Sequence, residues 1–351
     1  MTSRERVLAA IDHKPVDRVP RIFKGTTEVD ERLVRELRLT CAEDLKEYFK
    51  CENLHWPFYR VSAPDPNERM EIDNQEISRW GIRYREIDYG SGRYFEPIGS
   101  PLMQAQSVED VERYPWPDPN AVDLSKVKTQ LEDWKDKPTS GPGISIFEVA
   151  YQMRGMEQFL VDMLTAPEIA ESILQHIEEY WTALNQRIWE AGDGCFDIFI
   201  AGDDFGSQRS LIMSKSLWDK FFAPIYKRAF GWAKDRGMRI MIHSDGAVRE
   251  IVPDLINFGL DVLDPAQPMA EGMDPYEIKK EYGRDICIHG TIDVQELLPF
   301  GTPAKIKEEV KRQIEILGED SGFILAPSHC IQPGVPTENI IAIYEAADEM
   351  G

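Results

Sequence analysis

The sequence predicts a (β/α)8 TIM barrel with an N-terminal helical extension and a β-hairpin insertion, formed by residues 1–351 as a single domain. Three observations predict it. From residue 144 onward, six short apolar runs alternate with helical stretches, the rhythm of a parallel sheet covered by helices. No Gly-rich dinucleotide fingerprint and no P-loop follows any of those runs, which disfavours a doubly wound sheet. A chain of 351 residues is also an ordinary length for one barrel.

Each element has its own local reason. Residues 4–13 place Val7, Leu8 and Ile11 on one helical face, and Pro15 to Pro20 end that helix. Residues 21–25 read as a short buried first strand, with acidic amphipathic helices over 28–37 and 41–49. A second, poorly defined strand falls between residues 53 and 58. Between about 69 and 101 the period changes to two along Ile77 to Tyr84, and Asp88 to Gly92 is a turn. This is the hairpin insertion, a lid or a subunit interface rather than a barrel rung. Pro115, Pro117 and Pro119 stiffen the connector that follows. The remaining strands are expected at 144–147, 196–200, 239–242, 260–263, 285–288 and 322–325. Helices are expected up to Ala191, over 216–235, 274–282 and 304–317, and from Thr337.

Composition narrows the partners. With 62 acidic and 40 basic side chains the formal net charge is −22. Nucleic acid and anionic membrane are thereby disfavoured, since both need clustered Lys and Arg. No window approaches the ~20 apolar residues of a membrane span. Met1 to Arg6 carries acid and has no apolar core, so no secretion signal is expected there. Five scattered cysteines fit reduced thiols in the cytoplasm better than a disulfide framework.

Barrel enzymes build their sites at the C-terminal ends of the strands. Here those ends carry Glu148, Asp203, Asp204, His243, Asp245, His289 and His329. The chain has only six histidines, and three occupy the same relative place after three different strands. Taken singly, each is a hydrogen-bonding loop residue. Taken together with Asp245, the three converge on a metal. Neutral imidazole and carboxylate suit zinc, and a three-ligand site leaves a position open for substrate.

Adjacent side chains point different ways, so one of Asp203 and Asp204 faces the pocket and the other caps the following turn. Asp203 and Glu148 are the candidate acids, and Asp204 and Arg209 are candidate substrate contacts, with salt bridging as the structural alternative for Glu148 and Arg209. Phe147, Tyr151 and Phe205 form a candidate aromatic wall, although buried aromatics usually mean core. Cys287 falls on the same strand face as His289, while Cys330 points elsewhere. Both read as buried small hydrophobes rather than ligands.

The rim motifs resemble those of the uroporphyrinogen decarboxylase-like superfamily, particularly its corrinoid-dependent methyltransferase branch. The resemblance runs from Arg4 through Pro20 and Tyr114-Pro115-Trp116-Pro117 to Ala201-Gly202-Asp203-Asp204-Phe205-Gly206. It continues at His243-Ser244-Asp245-Gly246 and from Leu325 to Pro333. It implies a zinc-bearing barrel whose open face docks a separate corrinoid protein. True decarboxylases of the superfamily carry a Met-Arg-Gln-Ala-Gly-Arg pattern after the first strand. This chain has Phe23-Lys24-Gly25-Thr26-Thr27-Glu28 there, which is wrong for a substrate bearing many carboxylates.

Thiol-activating members use a His-x-Cys pair and a distant Cys, and on those positions this chain has His243, Asp245 and His329. Harder ligands leave a stronger Lewis acid, suited to an ether oxygen. Ether-cleaving relatives resemble another spacing, onto which Asp261, His289 and His329 would fall, but Asp261 lies toward the wrong end of its strand. The expected function is therefore O-demethylation: methyl moves from a methoxylated aromatic substrate to the cobalt(I) corrinoid of a partner, with zinc as cofactor. A decarboxylase working without metal and a non-catalytic docking subunit are the alternatives.

Overall fold

A computed structural model describes residues 1–57, 60–61, 75–90 and 92–351. Among them the strands are β1 (Arg60–Val61), β2 (Gln75–Ile77), β3 (Arg83–Asp88), β4 (Arg93–Gly99), β5 (Val122–Asp123), β6 (Ser140–Ile144), β7 (Ile198–Gly202), β8 (Arg239–His243), β9 (Val262–Asp264), β10 (Cys287–His289) and β11 (Phe323–Ile324). Strands β6 to β11 form one parallel sheet, each paired with the next in chain order. Helices lie between consecutive strands, the longest being Pro167–Ala191.

Side chains alternate across this sheet as the pleat requires. Phe199, Ala201, Ile240, Ile242, Leu263, Ile288 and Phe323 join the main core with the covering helices. Ile198, Met241, Val262, Cys287 and Ile324 face the other way. They form a second apolar cluster with Val7, Ala10 and Ile11 of the helix Ser3–Ile11. The N-terminal helix is therefore a floor under one end of the strands. Ion pairs fasten it there: Arg4 to Asp197 at 2.8 Å, and Asp12 to Arg239 at 2.8 Å.

Both edges of the sheet are met by the N-terminal segment. Arg21 pairs in parallel with Leu325 beyond β11, and His55 with Thr139 just before β6. Between them, the Glu52 N–H donates to the Arg21 carbonyl at 2.8 Å. The expected strands at 21–25 and 53–58 are thus isolated bridges rather than ladders, and Phe58 lies outside the described residues.

The strand expected at 144–147 is corrected: β6 ends at Ile144, and Phe147 opens the helix Phe147–Arg154. The chain leaves the ladder because the N–H groups of Ile146 and Glu148 turn to the Asp203 carboxylate, each at 2.7 Å. The single helix expected over 216–235 is two, Lys215–Phe221 and Ala223–Lys234. Pro224 lacks the N–H that would continue the first into the second. Strands β7 and β9 begin two residues later than expected. The carboxylates before them are engaged outside the ladder, Asp197 by Arg4 and the Thr139 N–H, and Asp261 by Lys234 and the Ile240 N–H.

The insertion is an antiparallel sheet of three strands, β2-β3-β4, rather than a lone hairpin. Its expected start at 69–74 and Ser91 of its turn lie outside the described residues. Trp80, between β2 and β3, anchors it, buried against Tyr180 at 4.8 Å between ring centres.

Candidate active site

Register places the site. Gly202 of β7 stands beside His243 of β8, and His243 beside Asp264 of β9. Cys287 stands beside Val262 and Ile288 beside Leu263, so the next level pair is His289 and Asp264. Three polar side chains thus end three adjacent strands at one level, on the face whose next layer is apolar. Asp264 is the centre of the three. Its Oδ2 lies 2.8 Å from His243 Nδ1 and its Oδ1 lies 2.6 Å from His289 Nδ1. Burial opposes the charge on Asp264, but the two imidazoles hold its carboxyl far below the usual carboxylate range. Burial likewise works against a charged His243, yet the bond to Asp264 raises its pKa.

With Nδ1 committed to Asp264, His243 has Nε2 left. That atom is 3.9 Å from Asp245 Oδ2, and His329 Nε2 is 3.7 Å from the same oxygen. Ligand atoms of His243, Asp245 and His329 all lie within 4.8 Å of one another, the one such metal-competent group among the described residues. Tetrahedral donors at zinc distance stand ~3.3 Å apart, within easy side-chain reach of this spacing. The other oxygen of Asp245, Oδ1, is buried with no hydrogen-bond partner. Two imidazoles and a carboxylate, one of whose oxygens is unpartnered, fit a divalent zinc ion. The Asp264 carboxylate behind His243 is the kind of outer partner that fixes a ligating ring.

Asp245 is held by its backbone. Its N–H donates to Asp204 Oδ1 at 2.9 Å, and the Gly246 N–H donates to Gln267 Oε1 at 2.7 Å. The loop carrying it lies directly on the loop after β7. A Cβ on Gly206 would stand 2.6 Å from the Asp245 carbonyl, and one on Gly246 would stand 2.6 Å from Gly206. Gly246 also has a φ of +85°, so glycine is required there twice over.

Asp203 is fully buried and spent. Besides the Ile146 and Glu148 N–H groups, it accepts from Tyr226 Oη and from Ser145 Oγ at 3.3 Å. It caps the helix Phe147–Arg154 from another segment of the chain. Burial pushes its carboxyl up to about 6 against the pull of those donors. Glu148, in the first turn of that helix, is half-buried, and burial with the nearby charges of Asp203 and Asp204 pushes it up to about 7.

Phe147 and Phe205 stack at 5.5 Å and are fully buried, so they pack behind the rim, whereas Tyr151 beside them is half-buried. Arg209 is exposed in the loop after β7. Asp261 pairs with Lys234 at 2.6 Å, at the opposite end of β9 from Asp264. Cys287 is buried in the floor cluster. Sequence reasoning passed over Asp264, Tyr226 and Gln152. The signal for Asp264 was present: it ends β9 as His243 ends β8.

The family model described as "Uroporphyrinogen decarboxylase (URO-D)" matches residues 66–350. A methylated-thiol–coenzyme M methyltransferase of Methanosarcina mazei is 24% identical over 203 residues, 58% of this chain and about half (51%) of its own length. A methylcobamide:CoM methyltransferase MtaA of Methanosarcina barkeri is 24% identical across 99% of this chain and 98% of its own. A solved structure described as a methyltransferase from Methanosarcina mazei shares the fold across 99% of both chains, with TM-score 0.67 and 22% identity.

Proposed function

This chain belongs to the uroporphyrinogen decarboxylase (URO-D) family, and from that premise we propose that it is the substrate-side methyltransferase of an O-demethylase system. It takes a methyl group from a methoxylated aromatic compound and passes it to the cobalt(I) corrinoid of a partner protein in the cytoplasm. The observation that carries this reading is the His243–Asp245–His329 donor set, in a chain that aligns end to end with a methylcobamide methyltransferase. The six-stranded sheet, with its edges bridged to Arg21 and His55, supports a closed eight-position (β/α)8 barrel over residues 1–351.

His243, Asp245 and His329 would hold the zinc, with Asp264 fixing the ring of His243 and His289 bonded to the other oxygen of Asp264. Bound there, zinc would supply Lewis acidity toward the ether oxygen. A nitrogen and oxygen donor set suits an ether better than a thiol, which soft thiolate ligands would favour. The ether C–O bond breaks with its electron pair on oxygen, and the methyl carbon leaves for the partner's cobalt(I). Glu148, pushed up to about 7 by burial and the nearby carboxylates, keeps a substantial neutral population at neutral pH and supplies the proton that the leaving oxygen takes up. Asp203 holds the helix from which Glu148 acts, and Tyr151, Asp204 and Arg209 remain for substrate contact.

Decarboxylation of a polycarboxylate fits less well, because Glu148, Asp203, Asp204 and Asp245 gather where such a substrate would need cations. The test is metal content followed by turnover. Purified protein is expected to hold about one zinc per chain, lost in His329→Ala. With a reduced corrinoid partner it is expected to demethylate a methoxyarene. Absence of metal after zinc is offered, or of methyl transfer with zinc bound, sinks the reading.

A further inference from the structure

Two residues that the proposed chemistry leaves unexplained stand in line behind Glu148. Gln152, one helical turn further on, donates from Nε2 to Glu148 Oε1 at 3.1 Å. Tyr84, in β3 of the antiparallel insertion, donates its hydroxyl hydrogen to Gln152 Oε1. A side-chain amide has one acceptor end and one donor end. With the phenol on its oxygen, the amide is held with its nitrogen toward Glu148. That orientation also serves ionised Glu148, which can only accept. Oε1 of Glu148 is then occupied as an acceptor in both protonation states, and the acid proton of neutral Glu148 is left to Oε2.

Tyr84 is itself held at both ends of the insertion. At one end Trp80 is buried and its carbonyl accepts from Tyr114 Oη at 2.8 Å. At the tip, the Arg93 N–H donates to Glu28 Oε1 at 3.0 Å. Glu28 lies in the first turn of the helix Thr27–Glu36, just after Gly25 bridges to Ile331. The insertion therefore reaches from the helix of Glu148 to the strand segment beside His329.

We propose that Tyr84 and Gln152 are positioning residues that place the Glu148 proton on Oε2, making the antiparallel insertion a working part of the site. This rests on Glu148 being the proton donor proposed above. The groups that bear on Glu148 are Asp203 and Asp204 from the loop after β7, His243 from β8, and Gln152 and Tyr151 on its own helix. Of these, Gln152 is the one hydrogen-bonded to Tyr84 of the insertion among the described residues. Breaking the chain at Tyr84 thus changes one influence on Glu148 and leaves the charges in place.

The experiment is an infrared titration of the carboxyl band of the full-length protein without substrate, assigned by its loss in Glu148→Gln. Wild type is expected to titrate near 7. An accepted hydrogen bond favours the carboxylate, so Tyr84→Phe and Gln152→Met are each expected to raise the midpoint by about half a pH unit. The double variant is expected to move no further than the larger single shift, because both break one chain. Methyl transfer by Tyr84→Phe should show kcat down about tenfold with KM little changed. A Tyr84→Phe midpoint equal to wild type overturns the proposal while leaving Glu148 as the acid. If no band removed by Glu148→Gln titrates near 7, the acid role of Glu148 fails, and the positioning role falls with it. Should Gln152→Met not fold, Tyr84→Phe decides alone.

Discussion

Asp264 Oδ2 lies 2.8 Å from His243 Nδ1, between level residues on adjacent strands. That one bond decides which nitrogen of His243 remains free, and it is the one facing Asp245 and His329. Asp264→Ala is therefore expected to weaken zinc binding about 10- to 100-fold without removing any ligand. Competition against a calibrated chelator measures this, and an unchanged affinity would show that His243 is oriented by something else.

Gly206 and Gly246 lock two loops together at backbone distance. In Gly206→Ala the new Cβ meets the Asp245 carbonyl at 2.6 Å, so the loops must separate. A loss of about 1–3 kcal/mol in urea unfolding is expected, with weaker zinc binding because Asp245 moves. A variant as stable as wild type would mean that the loops part freely.

Asp203 serves the fold more than the chemistry. Asp203→Ala leaves the Ile146 and Glu148 N–H groups and the Tyr226 hydroxyl without an acceptor inside the protein. The expected cost is about 3–5 kcal/mol, against about 1–2 for Tyr226→Phe. Chemical denaturation of the two variants ranks them, and a mild Asp203→Ala would contradict the capping role.

Glu148 links stability to pH. Its pKa in the fold, about 7, is above that of an exposed glutamate, so its neutral form is the one the fold prefers. Its contribution is fully present below the unfolded pKa and is lost as pH rises through about 7. Glu148→Gln, which cannot ionise, is expected to gain on wild type by about 2–3 kcal/mol between pH 4 and pH 8. Parallel stability curves for the two proteins across that range would contradict the buried-acid assignment.

The thiols divide by burial. Cys41 and Cys195 are exposed, whereas burial pushes the Cys287 thiol far up and shields it in the floor cluster. Iodoacetamide at pH 8 is expected to label Cys41 and Cys195 within minutes and Cys287 only after unfolding. Mass spectrometry of digests reads the result, and native labelling of Cys287 would mean that the floor opens.

Much of the fold was legible because its signals are local. Apolar runs such as Phe199 to Ala201 and Ile240 to Ile242 announced strands, and the helical periods between them announced the covering layer. The boundary at Ile144 was not legible, since Ile146 and Phe147 extend the apolar run and only the distant Asp203 draws their backbone away. The break at Phe222 had a visible cause in Pro224, yet the apolar period on either side masked it. Asp264 was hidden for a similar reason. An aspartate before proline reads as turn chemistry until register sets it between two histidines.

By itself, then, the sequence determined the parallel βα order, the family, and the polar residue types at the strand ends, because each depends on period, spacing or motif along the chain. Only the tertiary structure decided which of those residues meet. His243, Asp264 and His289 are separated by 21 and 25 residues and join because register levels three strands and the pleat turns them to one face. Likewise, Tyr84 reaches the helix of Glu148 from 68 residues before Gln152, across an insertion whose placement no local pattern encodes.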